Sequence, residues 1–171
     1  MLDIALLGTS GMMPLQNRFL TSMLCRIKGR LLIIDCGEGT QVALKNIGWG
    51  FKNIDVICFT HFHADHIAGL PGLLLTIGNA GRTEDIVIIG PEGVKEVVES
   101  LCIIAKELPF NIIFKEIDDL DNGKIKIKDF NIEALEVEHS MKCYAYNVIL
   151  KRKGKFDVKK AIKLDIPKKI W

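Results

Sequence analysis

The sequence predicts an α/β fold. Short apolar runs of strand length alternate with segments of helix length, and Gly or Pro punctuates most of the junctions between them. Its 171 residues, 49% hydrophobic and 26% charged, suit one globular domain with a substantial core. One polar cluster breaks the alternation: residues 60–72, Thr-His-Phe-His-Ala-Asp-His-Ile-Ala-Gly-Leu-Pro-Gly, hold three of the four histidines in the chain.

Taken in order, Leu2 to Leu7 is a short apolar strand, closed by the tight loop Gly8-Thr9-Ser10-Gly11 and Pro14. This glycine loop lacks both the G-x-G-x-x-G and the G-K-[ST] patterns of a phosphate cradle. Ser22 to Ile27 and Arg30 to Asp35 form two strands turning at Lys28-Gly29, and Thr40 to Ile47 a helix that Gly48 ends. Ile54 to Phe59 reads as a buried strand leading into the histidine cluster. Leu70 to Ile77 is a helix in which Pro71 is tolerated because it falls in the first turn. Asp85 to Ile89 is a strand, Val94 to about Glu107 a helix stopped before Pro109, and Ile112 to Glu116 another strand. Asn122-Gly123 is expected to be a hairpin turn beside the alternating Lys124 to Lys128. Strands at Phe130 to Val137 and Tyr144 to Lys151 follow, then a short helix from Asp157 to about Leu164.

The cluster carries the chemistry. In an extended segment His61, His63 and Asp65 share one side, and a turn into the next helix swings His66 back towards them. Neutral imidazoles with a carboxylate suit zinc, and the spacing is too short for one ion to use all four side chains. The expectation is a two-metal site, with His61 and His63 on one ion and Asp65 and His66 on the other. His139, the fourth histidine, also stands at a strand exit and is the expected third ligand beside His61 and His63. Asp35, at the end of its own strand, is the candidate to accept the second ring proton of a ligating histidine and so set its tautomer.

Charge is uneven. Residues 151–171 hold nine Lys or Arg against two Asp, a charge of plus seven, which leaves minus five on residues 1–150 of a chain whose total is plus two. That basic tail is read either as a handle for a polyanion or as a solvated helix face. The five cysteines, Cys25, Cys36, Cys58, Cys102 and Cys143, have no C-x-x-C spacing and read as reduced, buried small hydrophobes of a cytoplasmic protein. No apolar run is long enough for a membrane span, and the N-terminus lacks a signal-peptide pattern.

The order of these motifs resembles the metallo-β-lactamase superfamily and, within it, the ribonuclease Z branch that trims 3′ ends of precursor tRNA. The matching pieces are Gly8-Thr9-Ser10 with Pro14, Asp35-Cys36-Gly37-Glu38-Gly39-Thr40-Gln41, the whole of residues 60–72, Gly90-Pro91 with Gly93, and His139 followed by Tyr144-Ala145-Tyr146. The resemblance implies a layered αββα sandwich with two zinc ions at the sheet edges, an RNA partner, and Asp65 as both metal ligand and orienter or acceptor for the attacking water. It also implies a bridging aspartate and a final histidine that residues 1–171 do not contain, so that the chain represents about the first half of the fold. Residues 1–150 would be the N-terminal part of the catalytic domain. Residues 151–171, with Lys151, Arg152, Lys153 and Lys155, would begin an arm that grips RNA. Ala145 and Asn147 depart from the branch, which has glycine and arginine there. Another metal-dependent phosphodiesterase, or a truncated piece without activity, are the competing readings, an RNA-binding module without chemistry ranks last, and the oligomeric state is open between monomer and homodimer.

Overall fold

The β-strand pair that positions the histidine cluster lies at the centre of a six-stranded sheet. A computed structural model of the chain describes residues 1–105, 107–151, 154 and 156–170, the side chain of Ile170 excepted. Its elements are β1 (Leu2–Gly8), β2 (Ser22–Ile27), β3 (Arg30–Ile34), α1 (Thr40–Ile47), β4 (Ile54–Cys58), α2 (Ala64–Ile67), α3 (Leu70–Asn79), β5 (Ile86–Gly90), α4 (Val94–Leu101), β6 (Ile112–Glu116), β7 (Lys124–Ile127), β8 (Phe130–Val137), β9 (Cys143–Ile149) and α5 (Val158–Lys163). The strand order in the large sheet is β1-β2-β3-β4-β5-β6. β1, β2 and β3 form an antiparallel meander, whereas β3, β4, β5 and β6 run parallel. A second, antiparallel sheet has the order β7-β8-β9.

Side chains alternate across the central strands, and both faces are covered. Leu31 and Ile33 of β3, Ile57 of β4 and Ile88 of β5 join one core with Ala43 and Leu44 of α1, Leu70, Leu73, Leu74 and Ile77 of α3, and Val94 and Val98 of α4. The spacing of the α3 residues is the i, i+3, i+4, i+7 stripe of a helix that buries one face. Leu32, Ile34, Val56, Cys58 and Ile89 point the other way and pack on Phe130, Ile132, Ala134 and Tyr144 of the second sheet. Helices, sheet and sheet are therefore the layers built by the described residues, the first three of an αββα sandwich. Four cysteines are buried and Cys143 is half-buried, all unpaired. Burial pushes the thiols of Cys25 and Cys102 up to about 11, which keeps them protonated and inert. No helix among the described residues is long and apolar enough to cross a membrane.

Three expected elements differ. Asn122 and Gly123 do take positive φ angles of 49° and 66°. They nevertheless lie in a 3-10 turn, Asp121–Gly123, that carries the chain from the first sheet to the second. β6 already pairs with β5, so no strand stands before Asn122 to form a hairpin. The reversal falls instead at Lys128-Asp129, between β7 and β8. α4 stops at Leu101 and tightens into a 3-10 turn over Cys102–Ile104, which buries Cys102 and Ala105, three residues apart, on the same side. β9 begins one residue earlier than expected and ends at Ile149, so Lys151 lies beyond it.

A buried ion-pair cluster anchors the end of β4 opposite the histidines. Asp55 is 1% exposed and faces Arg30 Nε at 2.9 Å, Arg82 Nη2 at 3.1 Å and Lys128 Nζ at 2.8 Å. Arg82, equally buried, also donates to the carbonyls of Lys52, Glu84 and Asp85 at 2.8, 2.7 and 2.6 Å. Lys128 comes from the β7–β8 turn and so ties the two sheets. Replacing Arg82 by Met removes the most buried of the three cations around Asp55 and the donor to three backbone carbonyls, and is expected to cost about 3 kcal/mol in urea unfolding. Lys128→Met, at a half-exposed site, should cost under about 1 kcal/mol. Equal losses would show that Arg82 is not the anchor.

Candidate metal centre

Parallel pairing brings the ends of β3 and β4 side by side. The amide of Asp35 donates to the Cys58 carbonyl at 2.8 Å, and the amide of Thr60 donates back to Asp35 Oδ1 at 2.8 Å. Asp35 takes a φ of 60°, a left-handed conformation that aspartate tolerates better than most residues, and its side chain turns under the β4 exit. His63 is the N-cap of α2, a single turn that holds both Asp65 and His66. Asp65 is thus helical and not part of the extended alternation expected for it. From the second sheet, the amide of Tyr144 donates to the Thr60 carbonyl at 3.0 Å. This bond sets the β8–β9 connection, with His139, beside the cluster.

The rings of His61, His63 and His139 then converge. His61 Nε2 lies 3.1 Å from His63 Nδ1, His139 Nε2 lies 3.3 Å from the same atom, and the three ligand atoms fall within 4.8 Å of one another. Nitrogens about 2.0–2.1 Å from a tetrahedral zinc sit about 3.3 Å apart, so the spacings of His61 and of His139 from His63 match those around such an ion. His66 Nε2 faces Asp65 Oδ2 at 3.7 Å, while its Nδ1 donates to Asp35 Oδ2 at 2.8 Å. The carboxylate assigned to orient a histidine therefore touches His66 directly, and it reaches His61 only through Thr60, whose hydroxyl lies 2.9 Å from Asp35 Oδ2 and 2.9 Å from His61 Nδ1.

Electrostatics act on the donors in different directions. Burial, and then the neighbouring His66, pull the His61 pKa down to about 4, which leaves a neutral ring with a free lone pair at pH 7. Burial also pulls on His66, but the hydrogen bond and charge of Asp35 outweigh it and raise its pKa. For Asp65, burial opposes ionisation; the amides of Met12 and of Asp65 itself, with His66 and His63, prevail and lower its pKa. Met12, at a φ of 58° in the β1–β2 loop, donates its amide to Asp65 Oδ2 at 3.3 Å.

The structure thus gathers His61, His63 and His139 and sets Asp65, His66 and Asp35 beside them. It does not bring Lys151 there. That residue stands past the far end of β9, roughly 26 Å along the chain from Cys143 at strand rise, in a shallow groove with Lys124, Lys126 and Glu133. Arg152, Lys153 and Lys155 lie outside the described residues. Sequence reasoning missed Thr60, although it immediately precedes the first motif histidine, and the Met12 amide, for which no side-chain signal exists. It also missed a backbone contact: Cys36 donates to the His66 carbonyl at 2.7 Å and Gly69 to the Cys36 carbonyl at 2.9 Å.

The model of a family described as Anti-Pycsar protein Apyc1 matches residues 2–157. Ribonuclease Z of Lachnospira eligens is 54% identical over 171 residues, covering 100% of this chain and 56% of the relative. Ribonuclease Z of Clostridium acetobutylicum is 54% identical over 176 residues, covering 100% and 57%. The chain therefore spans about half the length of the curated relatives it matches. Among solved structures, human tRNase Z, short form, superposes with a TM-score of 0.75 at 28% identity, over 88% of this chain and 64% of that one.

A Cβ on Gly69 would stand 2.2 Å from the Gly37 carbonyl oxygen, and one on Gly37 would stand 2.4 Å from that of Asp65. Backbone cannot yield as a flexible side chain does, so Gly69→Ala must part the loop carrying Asp35 from the loop carrying His66. It is expected to cost about 1–3 kcal/mol in thermal unfolding. Gly154→Ala, where no atom of the described residues lies within 4 Å, should leave the melting temperature unchanged.

Proposed function

We propose, for a chain that belongs to the family described as Anti-Pycsar protein Apyc1 and that is similar to ribonuclease Z proteins, that it forms the first half of a zinc-dependent endoribonuclease that removes 3′ trailers from precursor tRNA. The observation that carries the reading is the convergence of three imidazole nitrogens from two separate strand exits, His61 and His63 after β4 and His139 after β8. His61, His63 and His139 would hold one ion, and Asp65 with His66 would supply part of the second site. Bound zinc would polarise a phosphate oxygen and make a water acidic enough to ionise near neutral pH.

The chain's own groups would do the rest. Asp65, a carboxylate at neutral pH, accepts the proton of the attacking water at Oδ2 and orients it for in-line attack. The bond from phosphorus to the 3′ oxygen breaks, that oxygen takes a proton from solvent, and the upstream product carries a free 3′ hydroxyl. Lys151, Arg152, Lys153 and Lys155 would begin the RNA-gripping arm through contacts with backbone phosphates. A second reading, a phosphodiesterase of the same scaffold with another substrate, draws on Ala145 and Asn147 in β9.

Two measurements test this. The 171-residue chain should bind one zinc per chain near neutral pH, and His139→Ala should weaken that binding at least 100-fold in a competition titration. Full affinity in the variant would remove His139 from the site. Expressed at the length of its relatives, the protein should cleave a 3′-extended precursor tRNA, lose the activity to a chelator and regain it with zinc. Asp65→Ala should then lower the single-turnover rate about 10²–10⁴-fold. Cleavage that survives the chelator would overturn the mechanism, and turnover of a small phosphodiester alone would favour the second reading.

A further inference from the structure

We infer that Thr60 is a positioning residue that sets the tautomer of His61, so that a single buried carboxylate, Asp35, aims the Nε2 atoms of both His61 and His66 at the metal positions. The inference rests on the metal-site reading above and extends it to a residue outside the ligand set.

Asp35 is 2% exposed and, as a carboxylate, can only accept. It receives the Thr60 amide at 2.8 Å on Oδ1 and His66 Nδ1 at 2.8 Å on Oδ2. The Thr60 hydroxyl sits 3.1 and 2.9 Å from the two carboxylate oxygens. It has one proton, and pointing that proton elsewhere would set its lone pairs against two buried anionic oxygens. The proton therefore goes to Asp35, and of the two ring nitrogens beside the hydroxyl, His66 Nδ1 at 3.5 Å already gives its proton to Asp35, so the hydroxyl is left as an acceptor for His61 Nδ1 at 2.9 Å. A neutral imidazole that carries its proton on Nδ1 has its lone pair on Nε2. In His61 that atom faces His63 Nδ1 at 3.1 Å, within the three-histidine set. In His66 the corresponding Nε2 faces Asp65. The half-buried Cys143 is the other neighbour of His61 Nδ1, with Sγ at 3.7 Å, too weak a partner to compete with the hydroxyl.

The hub is also the meeting point of three elements. Through its amide and hydroxyl Thr60 binds the end of β3, through its carbonyl it binds Tyr144 of the second sheet, and it is itself the residue that leads from β4 into the ligands. A serine could reproduce the hydroxyl; a valine keeps the shape and loses it.

The test uses the 171-residue chain with 15N-labelled histidine, read by long-range 1H–15N correlation at pH 8 without metal, and by zinc titration. The wild type should show His61 protonated on Nδ1, and Thr60→Ser should do the same with a zinc Kd within about threefold. Thr60→Val should lose that single tautomer and bind zinc about 10–100-fold more weakly, the range seen when an outer partner of a ligating histidine is removed. A wild-type His61 protonated on Nε2 overturns the inference whatever the variants do, as does a valine variant with unchanged tautomer and affinity. Because the tautomer is read without metal, a chain with the expected tautomer that binds no zinc would sink the metal-site reading and leave the hub standing.

Discussion

The carboxylate of Asp35 is the constraint on which the site depends. It lies buried at the junction of two parallel strands, where it must be hydrogen-bonded or be costly. Its partners are the Thr60 amide, the Thr60 hydroxyl and His66, all from the segment that leaves β4. Satisfying one buried charge therefore fixes the direction in which the histidine segment departs. The close backbone approach at Gly37 and Gly69 then holds this segment against the loop after β3. His139 is recruited separately, through the register of the second sheet and the bond from Tyr144 to Thr60.

The two ends of β4 divide the work. At its start, Asp55, Arg82, Arg30 and Lys128 form a paired and buried polar cluster whose role is to hold layers together. At its exit the polar groups also pair among themselves, yet they leave Nε2 of His61, Nδ1 of His63 and Nε2 of His139 facing one another. Parallel strands explain the asymmetry, because β3, β4 and β5 all end on the same edge and their loops meet there. Cations at one end match the buried acid; at the other end the acid is shared among imidazoles that keep a lone pair free.

Much of this was legible in the residues. The H-x-H-x-D-H spacing after an apolar strand marked the side chains that crowd at its exit, and the i, i+3, i+4, i+7 pattern from Leu70 to Ile77 marked α3. Asp35 was legible as a strand-end acid, though not as the partner of His66 in particular. The Asn122-Gly123 signal misled because a turn dipeptide specifies positive φ angles, not which strands flank it. The early end of α4 was hidden because burial of Cys102 and Ala105, not local propensity, selects the 3-10 turn.

Local pattern by itself determined which segments are strands and helices, which histidines are crowded together and where charge accumulates, since each follows from neighbours in the chain. Only the tertiary structure decided that His139, 76 positions from His63, brings its ring to 3.3 Å, that a threonine hydroxyl stands between Asp35 and His61, and that a methionine amide holds Asp65. Those contacts arise from strand register and sheet packing, which depend on how distant segments bury their apolar faces together, and that information is spread over the whole chain.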